Sequence, residues 1–342
     1  MGPVRSLNYF SKLSASGQIG NRRVRDSVVG RAYAAAQVAG PVERPKGEWP
    51  VGSAASGGSM PPWDLGLGRG WQPPDPPSDL PHPLRMWDYM VGGKDNYQID
   101  RNAAELAIKH APNLVFAARA GEAFITRALR WIAEPEHGLD QFLHLGCYIP
   151  KASSPILGGL AQAHRPGTRF VFVTDDQVSA AHARAVLASR ARGTSEVHAL
   201  WAEFRDPAPI LANPWLHERI DFSRPVGLLL LGMLDFVADE DRLTRALVEL
   251  KAALAPGSVI VMVHLLEGSN LTATERALKE SLGNNPFQYT PRPFERVREL
   301  VSDFEFADPG FVRCTSWRPD GKGPGPELEE RCSVAGGVAI VR

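Results

Sequence analysis

Val226-Gly-Leu-Leu-Leu-Leu-Gly232 and Ser258-Val-Ile-Val-Met-Val-His264 are the stretches that decide the fold. Each is a nearly unbroken apolar run of strand length, and such a run stays out of water only when both of its faces are covered. That is the situation of a central strand in a parallel sheet with helices on either side. Between the two runs, Asp239 to Leu254 has helical periodicity and stops at Pro256-Gly257, so strand, crossover helix and strand follow in order.

Working outward, further strands are predicted at Gln141–Leu145, Arg169–Val173 and Glu196–Trp201. Helices are predicted at Asp100–His110, at Ala117–Ala133 with Phe124, Ala128 and Ile132 on one stripe, at Val178–Arg192 and at Phe294–Phe304. Phe311–Trp317 with Gly337–Val341 forms a final antiparallel pair. Residues 81–342 therefore read as one α/β domain with a mostly parallel sheet. Residues 1–46 carry eight Lys or Arg against two acids, and Gly40 to Pro83 holds eight glycines and eleven prolines. Such a composition sustains neither helix nor strand, so residues 1–80 are expected to be a disordered extension, basic first and then rich in Pro and Gly. Trp63, Trp71 and Trp87 flank it and are suited to pinning it to the fold.

The balance of 38 basic and 38 acidic residues provides no global drive towards nucleic acid or an anionic membrane. No apolar run approaches the roughly 20 residues that span a bilayer. Cys147, Cys314 and Cys332 are odd in number and lack C-x-x-C spacing, which argues against a disulfide framework or a structural metal site and suits a reducing, cytoplasmic setting. The partner expected is a small molecule, with no nucleic acid, no membrane and no metal; a homodimer stays open.

In open α/β sheets ligands lie beyond the carboxyl ends of the strands. There the sequence places Gly146-Cys-Tyr148-Ile-Pro150, Thr174-Asp175-Asp176, Glu203-Phe204-Arg-Asp206, and Gly232 with Asp235 after it. An acid after the second strand is suited to a ribose diol, because a carboxylate accepts both hydroxyl protons. A second candidate surface is Met86-Trp-Asp-Tyr-Met-Val-Gly-Gly-Lys-Asp-Asn-Tyr97, whose Gly92-Gly93 bend projects Lys94, Asp95 and Asn96. An ordinary polar turn is its plain reading.

The segment Arg85 to Ala104, the first-strand turn with Pro150 and the phrase Glu203-Phe-Arg-Asp-Pro207, together with Leu228 to Asp241 and Leu254-Ala-Pro-Gly257, resemble the bacterial S-adenosyl-L-methionine-dependent methyltransferase family once called a domain of unknown function, DUF574. The similarity covers roughly residues 80–342, and the Gly-Gly-Lys-Asp-Asn signature falls on Gly92 to Asn96. The resemblance implies a Rossmann-like class I methyltransferase fold with seven strands, and S-adenosyl-L-methionine as cofactor. It places the cofactor against Gly146, Tyr148, Asp175, Asp176, Glu203, Phe204 and Gly232, the acceptor near Lys94, Asn96 and Tyr289, and the chemistry near Tyr97, Asp235 and His264.

The chain departs from the family pattern at several of these positions. Its first-strand turn reads His144-Leu-Gly146-Cys-Tyr148-Ile-Pro150 where the family resembles Asp-x-Gly-x-Gly-x-Pro. Tyr148 thus replaces a glycine that lets backbone approach the cofactor, and His144 an acid suited to an ammonium. Thr174 stands at the usual second-strand acid, and Asp235 where a histidine is common. Two readings follow: methyl transfer to a small molecule, or a catalytically degenerate module that keeps the fold for binding or regulation. A nicotinamide enzyme is disfavoured because G-x-G-x-x-G is absent after the first strand. His264 also suits a hydrogen-bonded core role, and Cys147 that of a small buried hydrophobe.

Overall fold

The computed structural model describes residues 80–146, 167–176, 179–180, 196–267, 271–283 and 288–342. Residues 1–79 of the predicted extension, Cys147, Tyr148 and Pro150 of the first turn, and most of the helix predicted at Val178–Arg192 lie outside the described residues, as do Trp63 and Trp71.

Five strands form the parallel part of one sheet: β1 (Gln141–Gly146), β2 (Arg169–Thr174), β3 (Glu196–Trp201), β4 (Gly227–Leu231) and β5 (Val259–Leu265). Their spatial order is β3-β2-β1-β4-β5. Every residue of β1, β4 and β5 is buried, which is why the last two read as continuous apolar runs. The chain reverses along β8 (Val334–Ile340), antiparallel to β5 from Val259↔Ile340 to Leu265↔Val334.

The sheet has eight strands rather than seven. The outer edge of β8 is met by two short segments, β6 (Glu305–Phe306) and β7 (Val312–Arg313). Phe306 faces Ala339 and Val312 faces Gly336, so six steps on one strand span three on the other. The surplus loops out between them, dividing the last edge strand of the expected fold into two.

Helices cover the sheet. The N-terminal ones are α1 (Pro83–Met90), α2 (Gln98–His110) and α3 (Asn113–Ile132). Short helices α4 (Pro207–Leu211) and α5 (Pro214–His217) follow β3, and α6 (Glu240–Ala253), capped by Asp239, crosses from β4 to β5. After β5 come α7 (Leu271–Leu282) and α8 (Phe294–Leu300). Pro83 occupies the first turn of α1, where a missing N–H costs nothing, and the His82 ring caps that turn by accepting from Leu84 N at 3.3 Å.

One buried ionic cluster fixes this cover to the sheet. The Arg85 side chain is 2% exposed and bridges Asp100 of α2 at 2.8 Å and Asp176, just past β2, also at 2.8 Å. Asp100 is fully buried and accepts in addition from the backbone of His82 and Tyr97. Asp176 accepts from both the backbone and the hydroxyl of Ser179. Because breaking one side of a buried pair leaves a stranded charge, Arg85→Met is expected to destabilise the protein by about 3 to 5 kcal/mol in urea unfolding. A loss below about 1 kcal/mol, the range of a surface pair, would show that the cluster is not a structural tie.

Candidate active site at the carboxyl ends of the strands

The Gly92-Gly93 bend is folded around a carboxylate of its own helix. Asp88 of α1 is buried and its Oδ2 accepts from Asp95 N and from the Asn96 amide, each at 2.8 Å. Gly92 has φ of 81°, a conformation that side chains resist, and a Cβ on Gly93 would lie 1.9 Å from Asp88 Oδ1. Asn96 also donates to Gly93 O and accepts from Arg101 at 3.0 Å. Its amide is therefore engaged within the loop. Lys94 is exposed, and Tyr97, 42% exposed, is the N-cap residue of α2 with Arg85 lying 5.7 Å from its ring centre.

At the ends of β2 and β3 the structure sorts the acids that the sequence left equivalent. Asp176 is committed to Arg85 and Ser179. Asp175 is not: its side chain is 10% exposed, and both oxygens are buried without a hydrogen-bond partner among the described residues. Burial, reinforced by the neighbouring Glu203, pushes its carboxyl up to about 8. His82 stands beside it. Its Nδ1 accepts from Leu84 N, so the ring proton sits on Nε2, 3.9 Å from Asp175 Oδ1. Burial holds this ring's pKa down to about 4.

Glu203 is nearly half exposed and is gripped by Arg205 through two bonds of 2.6 Å; this pairing overcomes partial burial and holds its carboxyl below the usual range. The Phe204 ring is fully buried and packs edge-on to Phe236, so only its backbone reaches the strand end. Gly146, with φ of 129°, ends β1 where a Cβ would come within 3.0 Å of Leu231 O. His144 is buried in the sheet, edge-on to Phe172, and burial depresses its pKa to about 3. It is a neutral ring in place of an acid.

Beyond β4 and β5 lies a cleft of about 410 Å³, part of it open to solvent, whose walls include Trp87, Leu231, Gly232, Phe236 and Tyr289. Asp235 is the charged residue among its described lining. Its Oδ1 accepts from Leu265 N at 2.7 Å and contacts Nδ1 of the fully buried His264. His264 Nε2 in turn faces Arg292 Nη1 at 3.1 Å. A guanidinium only donates, so Nε2 carries the lone pair and the ring proton is on Nδ1, the nitrogen that contacts Asp235. With Oδ1 engaged twice, Oδ2 is the carboxylate oxygen left to the cleft. Arg292 also donates to the carbonyls of Leu234 and Val237 and to Glu240, and Thr290 N donates to Asp235 O at 2.7 Å. The whole Asp235 turn is held from behind.

Of the residues predicted from sequence, Gly232, Asp235 and Tyr289 share this cleft, with His264 directly behind it. Asp175 and Glu203 meet at the neighbouring strand ends. Tyr148 lies outside the described residues. Arg292 and Trp87 were not singled out as site residues, although an arginine between two prolines, Pro291-Arg292-Pro293, is a cue: such a segment resists helix and strand, and its side chain is free to serve the tertiary fold.

A family model described as S-adenosyl methyltransferase matches residues 70–342. The chain belongs to that family. Among solved structures it is similar to a candidate methyltransferase from Thermobifida fusca YX, with 33% identity and a TM-score of 0.66 over 77% of this chain and 96% of that one. It is also similar to a DUF574 family protein from Streptomyces avermitilis MA-4680, at 29% identity and a TM-score of 0.68 over 77% and 98%. No curated protein matches it. Membership makes S-adenosyl-L-methionine the cofactor, and the strand ends of this fold fit it: the buried carboxyl group of Asp175 is unpaired among the described residues where a ribose offers two hydroxyls.

An acid whose folded pKa is raised is stable in its protonated form, so its contribution is fully present below the ordinary value of 3.8 and is lost as pH rises to about 8. Asp175→Asn removes that loss. The variant is expected to match the wild type near pH 4 and to exceed it in thermal unfolding by an amount that grows up to about pH 8, on the order of 1 to 3 kcal/mol. A difference that shrinks with rising pH would mean that Asp175 is ionised and paired in the free protein.

Proposed function

We propose that this chain transfers the methyl group of S-adenosyl-L-methionine to a small molecule held in the cleft beyond β4 and β5. The observation that carries this reading is the placement of Asp235 in the wall of that cleft, with its Oδ1 bonded by Leu265 N and in contact with His264. The cofactor, when bound, supplies an electrophilic methyl group and leaves as the thioether. What the chain must do is bind, align and accept a proton.

Asp175 would receive the ribose hydroxyls, with the His82 N–H beside it. Glu203, sharing its carboxylate with Arg205, and the backbone of Phe204 would border the adenine. Gly146 and Gly232 end the strands on either side of the reacting centre. On the acceptor side, Asp235 Oδ2 takes the hydrogen bond of the attacking hydroxyl or amine and then its proton, and Tyr289 closes the wall. Such a transfer depends mainly on alignment, so one well-held carboxylate suffices and a strong base is not required. Lys94 and Tyr97, exposed beside α1, would reach an acceptor only from the mouth of the site. A cytoplasmic setting suits the free, buried thiols of Cys314 and Cys332.

The neutral, buried His144 favours a second reading, a fold retained for binding or regulation, because the family's acid for the methionine ammonium is missing. Calorimetric titration separates the two. The enzyme reading expects the wild type to bind S-adenosyl-L-methionine and S-adenosylhomocysteine, and Asp175→Ala to weaken both by about 5- to 150-fold, the equivalent of about 1 to 3 kcal/mol. No binding of either compound by the wild type would leave only the module reading.

A further inference from the structure

We infer that the acceptor is a neutral, flat, aromatic molecule bearing a hydroxyl or amine, and that the cleft rejects carboxylate and phosphate acceptors. This inference rests on the methyl-transfer reading and adds the substrate class. Three features of the cleft converge on it.

First, its walls are apolar, with three aromatic rings set among aliphatic side chains. Trp87 enters from α1, Phe236 from the turn after β4, and Tyr289 from the segment before α8. Phe236 and Tyr289 form a tilted pair with ring centres 4.6 Å apart. Such surfaces favour a flat ring over a sugar or a peptide, since they offer area and quadrupoles rather than hydrogen bonds. Second, the cleft is small, about 410 Å³ with its open mouth counted in, so a compact molecule suits it better than a polymer.

Third, the charge in the cleft is negative and anchored. Among the described lining no Lys or Arg offsets Asp235. The nearby arginine, Arg292, is 3% exposed and spends its donors on His264, Glu240 and the carbonyls behind the turn. It therefore holds the carboxylate in place through His264 instead of offering a cation to a ligand. An acceptor that donates a hydrogen bond is welcomed, while an anion meets like charge in a partly dehydrated space. In the transfer itself the acceptor oxygen or nitrogen gains the methyl and gives its proton to Oδ2; the broken carbon–sulfur bond leaves its electron pair on sulfur.

The test uses two probes with the same body, p-cresol and p-toluate, titrated by ligand-observed NMR into the full-length protein saturated with S-adenosylhomocysteine at neutral pH. Saturation is confirmed first by calorimetry, so failure of the cofactor reading shows up separately as absence of that binding. The wild type is expected to prefer p-cresol by roughly tenfold or more, the ratio that about 1.4 kcal/mol of discrimination produces. Asp235→Asn, which keeps the shape of the side chain, and Asp235→Ser should both narrow that preference to within about threefold, while S-adenosylhomocysteine affinity shows that each variant is folded. Equal or tighter binding of p-toluate by the wild type would overturn the inference. So would a preference unchanged in both variants, or no binding of either probe by protein that holds S-adenosylhomocysteine.

Discussion

Arg85 carries one positive charge into a place with almost no water, and two carboxylates from distant parts of the chain must meet it there. Asp100 comes from α2 and Asp176 from the end of β2, 91 residues further along than Arg85. Attraction between unlike charges offsets the cost of dehydrating them only if each remaining lone pair is also satisfied. Here they are: Asp100 takes two backbone donors and Asp176 takes Ser179. The N-terminal helices are thereby held over the carboxyl ends of the strands, and Trp87, two residues on from Arg85, is carried into the cleft beside β4. The loop that follows is shaped in turn by the buried carboxylate of Asp88.

This tie divides labour between adjacent acids. Asp176 is stabilised by Arg85, whereas Asp175 stays buried with no hydrogen bond from a described residue and resists ionisation. A fold selected for stability alone gains nothing from such a group. A site that must meet two ribose hydroxyls does, because a neutral carboxyl group can donate to one and accept from the other and is already dehydrated before the ligand arrives. The same logic holds at Asp235, where the backbone of Leu265 and the His264 ring, itself backed by Arg292, engage one carboxylate oxygen.

The central sheet was legible because β4 and β5 are buried on both faces, a constraint written directly into composition. Helix ends shifted by only a few residues. α1 was missed, since its aromatic and charged sequence suggests a clamp, and it becomes helical through the His82 cap, Pro83 and the pull of Arg85 on its partners. β6 is two residues long and carries no pattern to read. At the site, Asp235 and His264 were read as candidates from their places at the ends of the fourth and fifth strands, yet nothing local distinguishes Asp175 from Asp176. A residue 91 positions earlier makes that choice. Asn96 illustrates the converse: an amide in a glycine-rich bend reads as a ligand contact, and the structure shows it bonded to Asp88, Gly93 and Arg101.

The account stands on one placement, with the cofactor's ribose at Asp175 and its reactive end at the Asp235 cleft. A crystal structure of the protein with S-adenosylhomocysteine measures this directly. The account predicts both ribose hydroxyls within about 3 Å of the Asp175 carboxyl oxygens, a hydrogen-bonding distance, and the sulfur facing the cleft between Trp87 and Asp235. A ribose bound at any other strand end, or Asp175 still without a partner in the complex, would contradict it.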